Sequence, residues 1–327
     1  METELVALYR NPYCTLDRFL LFDHHDRAEM TTCALDEPRH VVLITVQNTR
    51  AMVLNKLLPI DCPEMDRLVQ AIRRCFPSVR RLSLETTCDP ARLHVPHWLT
   101  GRDHDYVIER HASATDWGQR LSKKTRKNIR NMFNRLTRDH PGWEQRWIDG
   151  RDVQREHVED VVNWTRERMR VKNRVSGLDT PGMAENVLTT VRRYGGAFET
   201  VVDGRVAARE LCLHMGDACW IEHGSFDRRY EGYDLGVLSL YGAICRFIDL
   251  GATIHLLWGT AEFKTRLGAR ERHQWQLSLY TSRLAQLRDV REGRRAARQA
   301  LRGSWIDRSW HRWRWRAHRA VTLLRRR

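Results

Sequence analysis

No Cys-x-x-Cys pair occurs in this chain. Its eight cysteines (14, 33, 62, 75, 88, 212, 219 and 245) stand apart in apolar or mixed runs. That argues against a zinc ribbon or a thiol–disulfide motif and fits reduced core thiols in a cytoplasmic protein. No apolar run approaches the roughly 18 residues of a membrane helix. The opening METELVALYRNPY carries early acids and no long apolar block, so it does not read as a signal peptide. No Ser-His-Asp order and no clustered metal-ligand spacing stands out. His24-His25, flanked by Asp23 and Asp26, is a poor metal candidate, because adjacent residues of an extended segment rarely converge on one ion. No metal is expected. Lysine is scarce, six residues against fifty arginines, a skew that reflects coding composition more than chemistry.

What is present is charge, and its placement matters. A net charge of +15 suggests nucleic acid until it is localised. Residues 283–327 hold fifteen arginines against three acids (Asp289, Glu292 and Asp307), whereas the first 282 residues hold 41 basic and 38 acidic side chains. Any strong attraction to phosphate or anionic lipid therefore belongs to the tail. The 327 residues suffice for two compact domains or one large pseudo-duplicated one.

Residues 1–112 read as mixed α/β. VVLITV (41–46) and AMVLNKLLPI (51–60) form a two-strand hairpin, Asp66 to Cys75 an amphipathic helix, and RLSLET (81–86) and YVIER (106–110) further strands. Residues 113–282 open with a helix capped at Thr115 or Asp116 and continuing to about Thr137. Lys123, Lys124, Arg126, Lys127 and Arg130 cover much of its polar face. Three readings of that face stay open: a solvated surface, a positive wall beside an acceptor or phosphate-bearing substrate, and a DNA recognition helix. No helix-turn-helix signature precedes it, which disfavours the last. A helix at 153–171, a loop at 172–182 that is a candidate lid, and a helix at 183–194 follow.

From Gly196 the pattern turns to strands. Segments 197–204, 205–217 and 218–226 are joined by Asp203-Gly204 and Gly216-Asp217, both hairpin signals. Next comes a glycine-bearing turn, with Asp234 as candidate N-cap and Gly232 and Gly236 supplying backbone freedom. A helix from Val237 to Leu250 ends at Gly251. A strand at 253–258, a short helix at 262–268 and a strand at 274–280 complete a mixed α/β domain. A helix N-terminus at such a turn directs free N–H groups at an anion, which suits the pyrophosphate of a nucleotide-like carrier.

Three segments carry a family resemblance: Ser122–Arg130 (SKKTRKNIR), Tyr230–Gly236 with its Tyr-x-x-x-x-Leu-Gly turn, and Gly259–Lys264 (GTAEFK). In this order and spacing the chain resembles the BioF2-like, or CelD/BcsL-type, branch of the GNAT acyltransferases, related to the FemAB peptidyltransferases. The resemblance covers roughly residues 115–282. It implies a GNAT-like fold, with an incomplete copy at 1–112 preceding the complete one at 113–282. It implies an acyl-CoA, acetyl-CoA first, as donor. It also places Lys264 near the transition-state charge, where an ammonium serves as an oxyanion donor.

For the carrier, the candidates are Arg228 and Arg229 as phosphate partners and the N–H groups of Leu235, Gly236 and Val237, with Gly232 in the turn. The usual GNAT loop, Gln/Arg-x-x-Gly-x-Gly/Ala, appears here as RYEGYD, so Asp234 stands where a small residue is expected. For the general base, Glu210, His223 and Glu222 stay open. Glu210 lies mid-strand in VAARELCL, where either burial raises its pKa toward a useful range or it occupies an edge position facing water. Strand alternation places Glu222 with Trp220 on one face and His223 with Ile221 on the other. His214 and His255 read as satisfied sheet histidines.

In the tail, Ile306, Trp310, Trp313, Ala317, Val321 and Leu324 form one helical stripe flanked by arginines. Three readings stay open for it: an anionic membrane surface, docking on the protein's own body, and nucleic acid with tryptophans stacked on bases. The expected function is a cytoplasmic acyltransferase, peripheral at the inner face of the membrane if the tail binds there. It would act on an amine or hydroxyl of a small-molecule or glycan-type acceptor in cell-envelope polysaccharide or lipid-linked sugar synthesis. The alternatives are FemAB-like transfer from aminoacyl-tRNA and a non-catalytic module binding membrane or nucleic acid.

Overall fold

The computed structural model describes residues 1–23, 26–36, 39–258, 262–291 and 293. The His24-His25 pair, Gly259 to Ala261 of the last motif and the stripe at 306–324 lie outside these residues. In chain order come helix α1 (Glu2–Tyr9), strands β1 (Met30–Leu35), β2 (His40–Gln47) and β3 (Arg50–Val53), helix α2 (Cys62–Cys75), and strands β4 (Arg81–Thr86) and β5 (His97–Ile108). Helices α3 (Ala114–Arg120) and α4 (Lys123–Asp139), strand β6 (Glu144–Asp149), and helices α5 (Arg155–Val171) and α6 (Met183–Tyr194) follow. Then come β7 (Gly195–Val202), β8 (Arg205–Met215), β9 (Ala218–Phe226), α7 (Leu235–Asp249), β10 (Thr253–His255), α8 (Glu262–Arg266), β11 (Arg270–Tyr280) and α9 (Arg283–Arg288). The fold is mixed α/β.

The chain forms two compact units, one of residues 1–25 with 105–272 and one of 26–104 with 273–327. These differ from the contiguous boundaries at 112 and 282 for two reasons. The division falls inside β5 and β11, which are longer than their periodic cores suggest. The first 25 residues also belong with the later segment, where Tyr13 packs edge-on against Trp220 at 5.7 Å and Trp258 at 5.0 Å.

In the second unit the strands run β1-β2-β3-β4-β11. β1, β2 and β3 are successive antiparallel neighbours, β3 and β4 are parallel, and β11 is antiparallel to β4. Helix α2 starts at a capping box, in which the Asp61 side chain accepts from the Glu64 N–H and Glu64 accepts in return from the Asp61 N–H. In the first unit the order is β5-β10-β9-β8-β7-β6. β10 is parallel to β9 and antiparallel to β5, and β9, β8, β7 and β6 are successive antiparallel neighbours. The β7–β8 hairpin closes through Asp203 (φ 50°) and Gly204 (φ 76°), both left-handed as a primed turn requires. Gly251 (φ 75°) ends α7, with its N–H on the Ile248 carbonyl and the Ala252 N–H on that of Phe247.

Two cores lie on the α7 side of this sheet. One gathers Trp117, Leu121, Phe198, Cys212, Cys219, Ile221, Ile244 and Phe247; the other gathers Leu136, Ala208, Leu235 and Leu238. On the opposite side, Arg209 pairs across the β7–β8 ladder with Glu199 at 2.7 Å, and both are buried.

The single helix expected from 115 to 137 is two helices. Leu121 is extended (φ −66°, ψ 150°) and buried, and Ser122 caps α4 by accepting from the Thr125 N–H. The break turns Trp117 and Leu121 into the core while starting α4 in a new direction. Strand 253–258 is likewise shorter than expected. After His255 the chain leaves β9, and the Leu256 N–H bonds the Tyr106 carbonyl of β5.

Candidate active site

The site starts from two irregularities in the first unit. β9 and β10 pair only over Ala218–Trp220 and Thr253–His255. β10 ends at His255, so the β10-side edge of β9 from Ile221 to Phe226 has no strand neighbour among the described residues. β9 also bulges. Leu211 of β8 opposes His223 and Cys212 opposes Ile221, so Glu222 is the extra residue. A bulge re-aims side chains by breaking the two-residue alternation.

The expected separation of Glu222 and His223 onto opposite faces therefore does not hold. His223 Nε2 lies 4.0 Å from Glu222 Oε2, and Arg18 Nη1 lies 3.9 Å from Glu222 Oε1. Arg18 in turn stacks over Tyr13 at 4.5 Å and Phe22 at 4.3 Å. Burial holds the His223 imidazolium below its ordinary pKa, against the pull of Glu222. Burial also drives the Tyr13 hydroxyl well up, and the neighbouring Glu222 carboxylate adds to this.

Glu210 sits apart from this pair. It shares the α7-facing side of β8 with Cys212, opposite Gly224 on β9. A Cβ at residue 224 would overlap the Glu210 carboxylate, so only glycine leaves room for it. Burial raises the Glu210 pKa to about 8, with Arg168 and the Ser239 hydroxyl pulling the other way. At neutral pH this carboxyl is mostly protonated.

Lys264 is buried, and its position explains why. Its Nζ donates to the carbonyls of Leu256 (2.9 Å), Leu257 (3.2 Å) and Trp258 (2.6 Å), and lies 5.3 Å from the Tyr106 ring centre. An ammonium has three N–H donors, and here three carbonyls take them. The ammonium thereby clamps turn 256–258. Within that turn Leu257 is left-handed (φ 58°), a strained state for a branched side chain.

The carrier candidates cluster, but not as expected. Arg229 pairs with Asp227, its Nε at 2.8 Å, and Arg228 pairs with Glu231 at 3.0 Å. Asp234 does not cap α7 with its side chain. It is itself left-handed (φ 55°), and its carboxylate accepts from Arg135 of α4 at 3.1 Å. The turn's unusual backbone thus rests on Asp234 rather than on glycine. Gly232 faces open space, and Gly236 makes room for the Phe226 ring. The Val237 N–H bonds the Asp234 carbonyl, which leaves those of Leu235 and Gly236 as the helix-end donors.

On α4, the exposed Arg126 reaches back to the carbonyls of Gln119 and Leu121, at 3.2 Å for the latter, and so closes the end of α3. Lys123, Lys124, Lys127 and Arg130 are exposed and form no ion pair among the described residues. Two of these lysines occupy the first turn of α4, where the helix dipole disfavours cations.

One pair escaped the sequence reading. His255 and Asp105, 150 residues apart, are both buried and share a 2.7 Å hydrogen bond. The His255 ring stacks on Trp220 at 3.7 Å, 9° from parallel. A polar pair inside the strand patterns around 106 and 254 was the available signal, but nothing local links the two.

Residues 123–265 match the family model described as Acetyltransferase (GNAT) domain. No curated protein matches the chain in sequence. Among solved structures, FemX is similar with a TM-score of 0.59 at 9% identity, over 88% of this chain and 98% of that one. L-PGS from Bacillus licheniformis gives 0.51 at 9%, over 90% and 97%. The C-terminal domain of a putative lysylphosphatidylglycerol synthetase from Agrobacterium fabrum gives 0.50 at 10%, over 89% and 95%. At these identities the likeness is one of fold.

Proposed function

We propose that the first unit is a GNAT-type acyltransferase that takes an acyl group, acetyl first, from acyl-CoA. The observation that carries this is the coincidence of the matched acetyltransferase domain with a β9 edge that runs on past its short pairing with β10 and a helix N-terminus just beyond β9. The free edge of β9 suits an extended carrier arm. The N–H groups of Leu235 and Gly236 suit its pyrophosphate. Arg228 and Arg229 would join them by leaving Glu231 and Asp227. CoA supplies a thioester, whose acyl carbon the acceptor attacks.

The acceptor, an amine or hydroxyl, is assigned to the face carrying Trp220, Glu222 and His223, where acid–base groups gather. Lys264 acts through the turn it clamps. The exposed cations Lys123, Lys124, Lys127 and Arg130 fit an acceptor bearing phosphate, such as a lipid-linked sugar, in line with the BioF2-like, CelD/BcsL-type resemblance. The arginine- and tryptophan-rich tail fits recruitment to an anionic membrane surface.

FemAB-like transfer from aminoacyl-tRNA is the second reading, favoured by the likeness to FemX over 88% of the chain. One experiment separates the two. The full chain is incubated with acetyl-CoA, or with charged tRNA, and a panel of amino sugars, glycans and lipid-linked sugars, and acylated acceptor is read by mass spectrometry. Acetyl-CoA-dependent product supports the first reading. Product from charged tRNA alone, with steeply salt-dependent RNA affinity, replaces it with the second. Product from neither removes both.

A further inference from the structure

We infer that His255, held by Asp105, is the general base of the transfer. The inference rests on the acyl-transfer reading and adds a residue to it. His255 is the last residue of β10 and pairs with Trp220, so it stands where the open edge of β9 begins. Its ring is held at one nitrogen and on one face. Nδ1 bonds Asp105 Oδ2 at 2.7 Å, the flat face lies on Trp220, and Arg272 Nη2 approaches Nδ1 at 3.3 Å. Nε2, across the ring, accepts no hydrogen bond from any described residue. A carboxylate on one imidazole nitrogen, with the other left to take a proton, is the arrangement of an oriented general base.

Asp105 does more than hold the ring. Its Oδ1 accepts from the Leu257 N–H at 3.0 Å, and its Oδ2 from Arg272 at 3.2 Å. The strained Leu257 is thus pinned by Asp105 through its N–H and by Lys264 through its carbonyl. A strained backbone persists where its surroundings over-determine it, and such places are often functional. The base, the turn and the clamp form one unit beside the aromatic wall of Tyr13, Trp220 and Trp258. Asp105 is a positioning residue in this scheme.

In the reaction, the acceptor's N–H or O–H proton passes to Nε2 as its nitrogen or oxygen bonds the acyl carbon. The carbonyl electrons move onto oxygen. They return as the carrier's C–S bond breaks, and the leaving thiolate takes the proton from Nε2. With an aminoacyl ester the C–O bond breaks and the alkoxide takes it. The charged and titratable groups around the dyad are Asp105 on β5, Arg272 on β11, Glu222 and His223 on β9, Lys264 on α8, and Tyr13 and Arg18 in the N-terminal segment.

The test uses the full chain with whichever carrier supports turnover. His255→Ala should lower kcat by roughly 10²–10⁴-fold, the span of general-base effects, with KM for the carrier within a few-fold. Free imidazole should restore part of the loss. Asp105→Asn should lower kcat and displace the acid limb of the pH–rate profile; a profile of unchanged shape would count against the inference. If Asp105→Asn fails to fold, imidazole rescue of His255→Ala decides alone. Turnover of His255→Ala within three-fold of the parent, or a loss that imidazole leaves untouched, overturns the inference while the acyl-transfer reading stands. A parent chain without turnover from either carrier overturns both.

Discussion

The two faces of the first unit's sheet treat their acids in opposite ways. On the α7 side, Glu210 is sealed over Gly224 and kept protonated by burial. On the other side a bulge turns Glu222 and His223 together beside Tyr13 and Arg18, and the dyad of Asp105 and His255 stacks against Trp220. The same strand pair, β8 and β9, thus buries a protonated carboxyl on one face and gathers hydrogen-bonding side chains on the other. Sequence alternation alone ranks these carboxylates together. One inserted residue in β9 and one glycine separate them.

The comparison is broken most severely by removing the clamp. Lys264→Met leaves three carbonyls of turn 256–258 without their cation, and each buried orphan costs about 1–3 kcal/mol. We expect turnover to fall at least 100-fold and the thermal midpoint to drop. Unchanged turnover in a folded variant would remove the turn from the mechanism.

Next in size is the pH dependence from Glu210. Its folded pKa of about 8 lies above the ordinary 4.5. Between these values the folded state keeps a proton that the unfolded chain has released, so stability falls as pH rises from 4.5 to 8. At about 1.4 kcal/mol per pKa unit, the loss is on the order of several kcal/mol. Glu210→Gln should flatten urea-unfolding stability across that window, and a wild-type slope retained in the variant contradicts the assignment.

Gly224→Ala follows, at about 1–3 kcal/mol from overpacking. Its cost should shrink when Glu210→Ala is added, because one carboxylate is the obstacle; additive effects in the double variant would mean that it is not. Smallest is Asp234→Asn. It removes an acid from the carrier turn and an exposed pair with Arg135 worth about 0–1 kcal/mol. Stability should barely change, and affinity for an anionic carrier should rise a few-fold. Weaker carrier binding in this variant would argue against that turn as the phosphate site.

The elements most legible in sequence were those with local causes. The turns at Asp203-Gly204 and Gly216, the α7 stop at Gly251, and the periodic helices 155–171 and 183–194 all lie where turn chemistry and spacing place them. What escaped depends on partners remote in sequence. The α3–α4 break needs a core to receive Leu121. The bulge at Glu222 needs β8 as its ruler. The pairing of Asp105 with His255 spans 150 residues and needs β5 and β10 side by side. Lys264 was legible as a motif residue, but its bonding to three carbonyls was not, because those acceptors are backbone and carry no sequence signal.

The most direct test of the central claim is calorimetric titration of the full chain with acetyl-CoA at raised salt, which screens the arginine-rich tail. The account predicts saturable one-site binding, lost or weakened at least ten-fold in Gly236→Val, whose side chain would crowd Phe226 at the α7 N-terminus. No saturable binding, or binding indifferent to Gly236→Val, would contradict it.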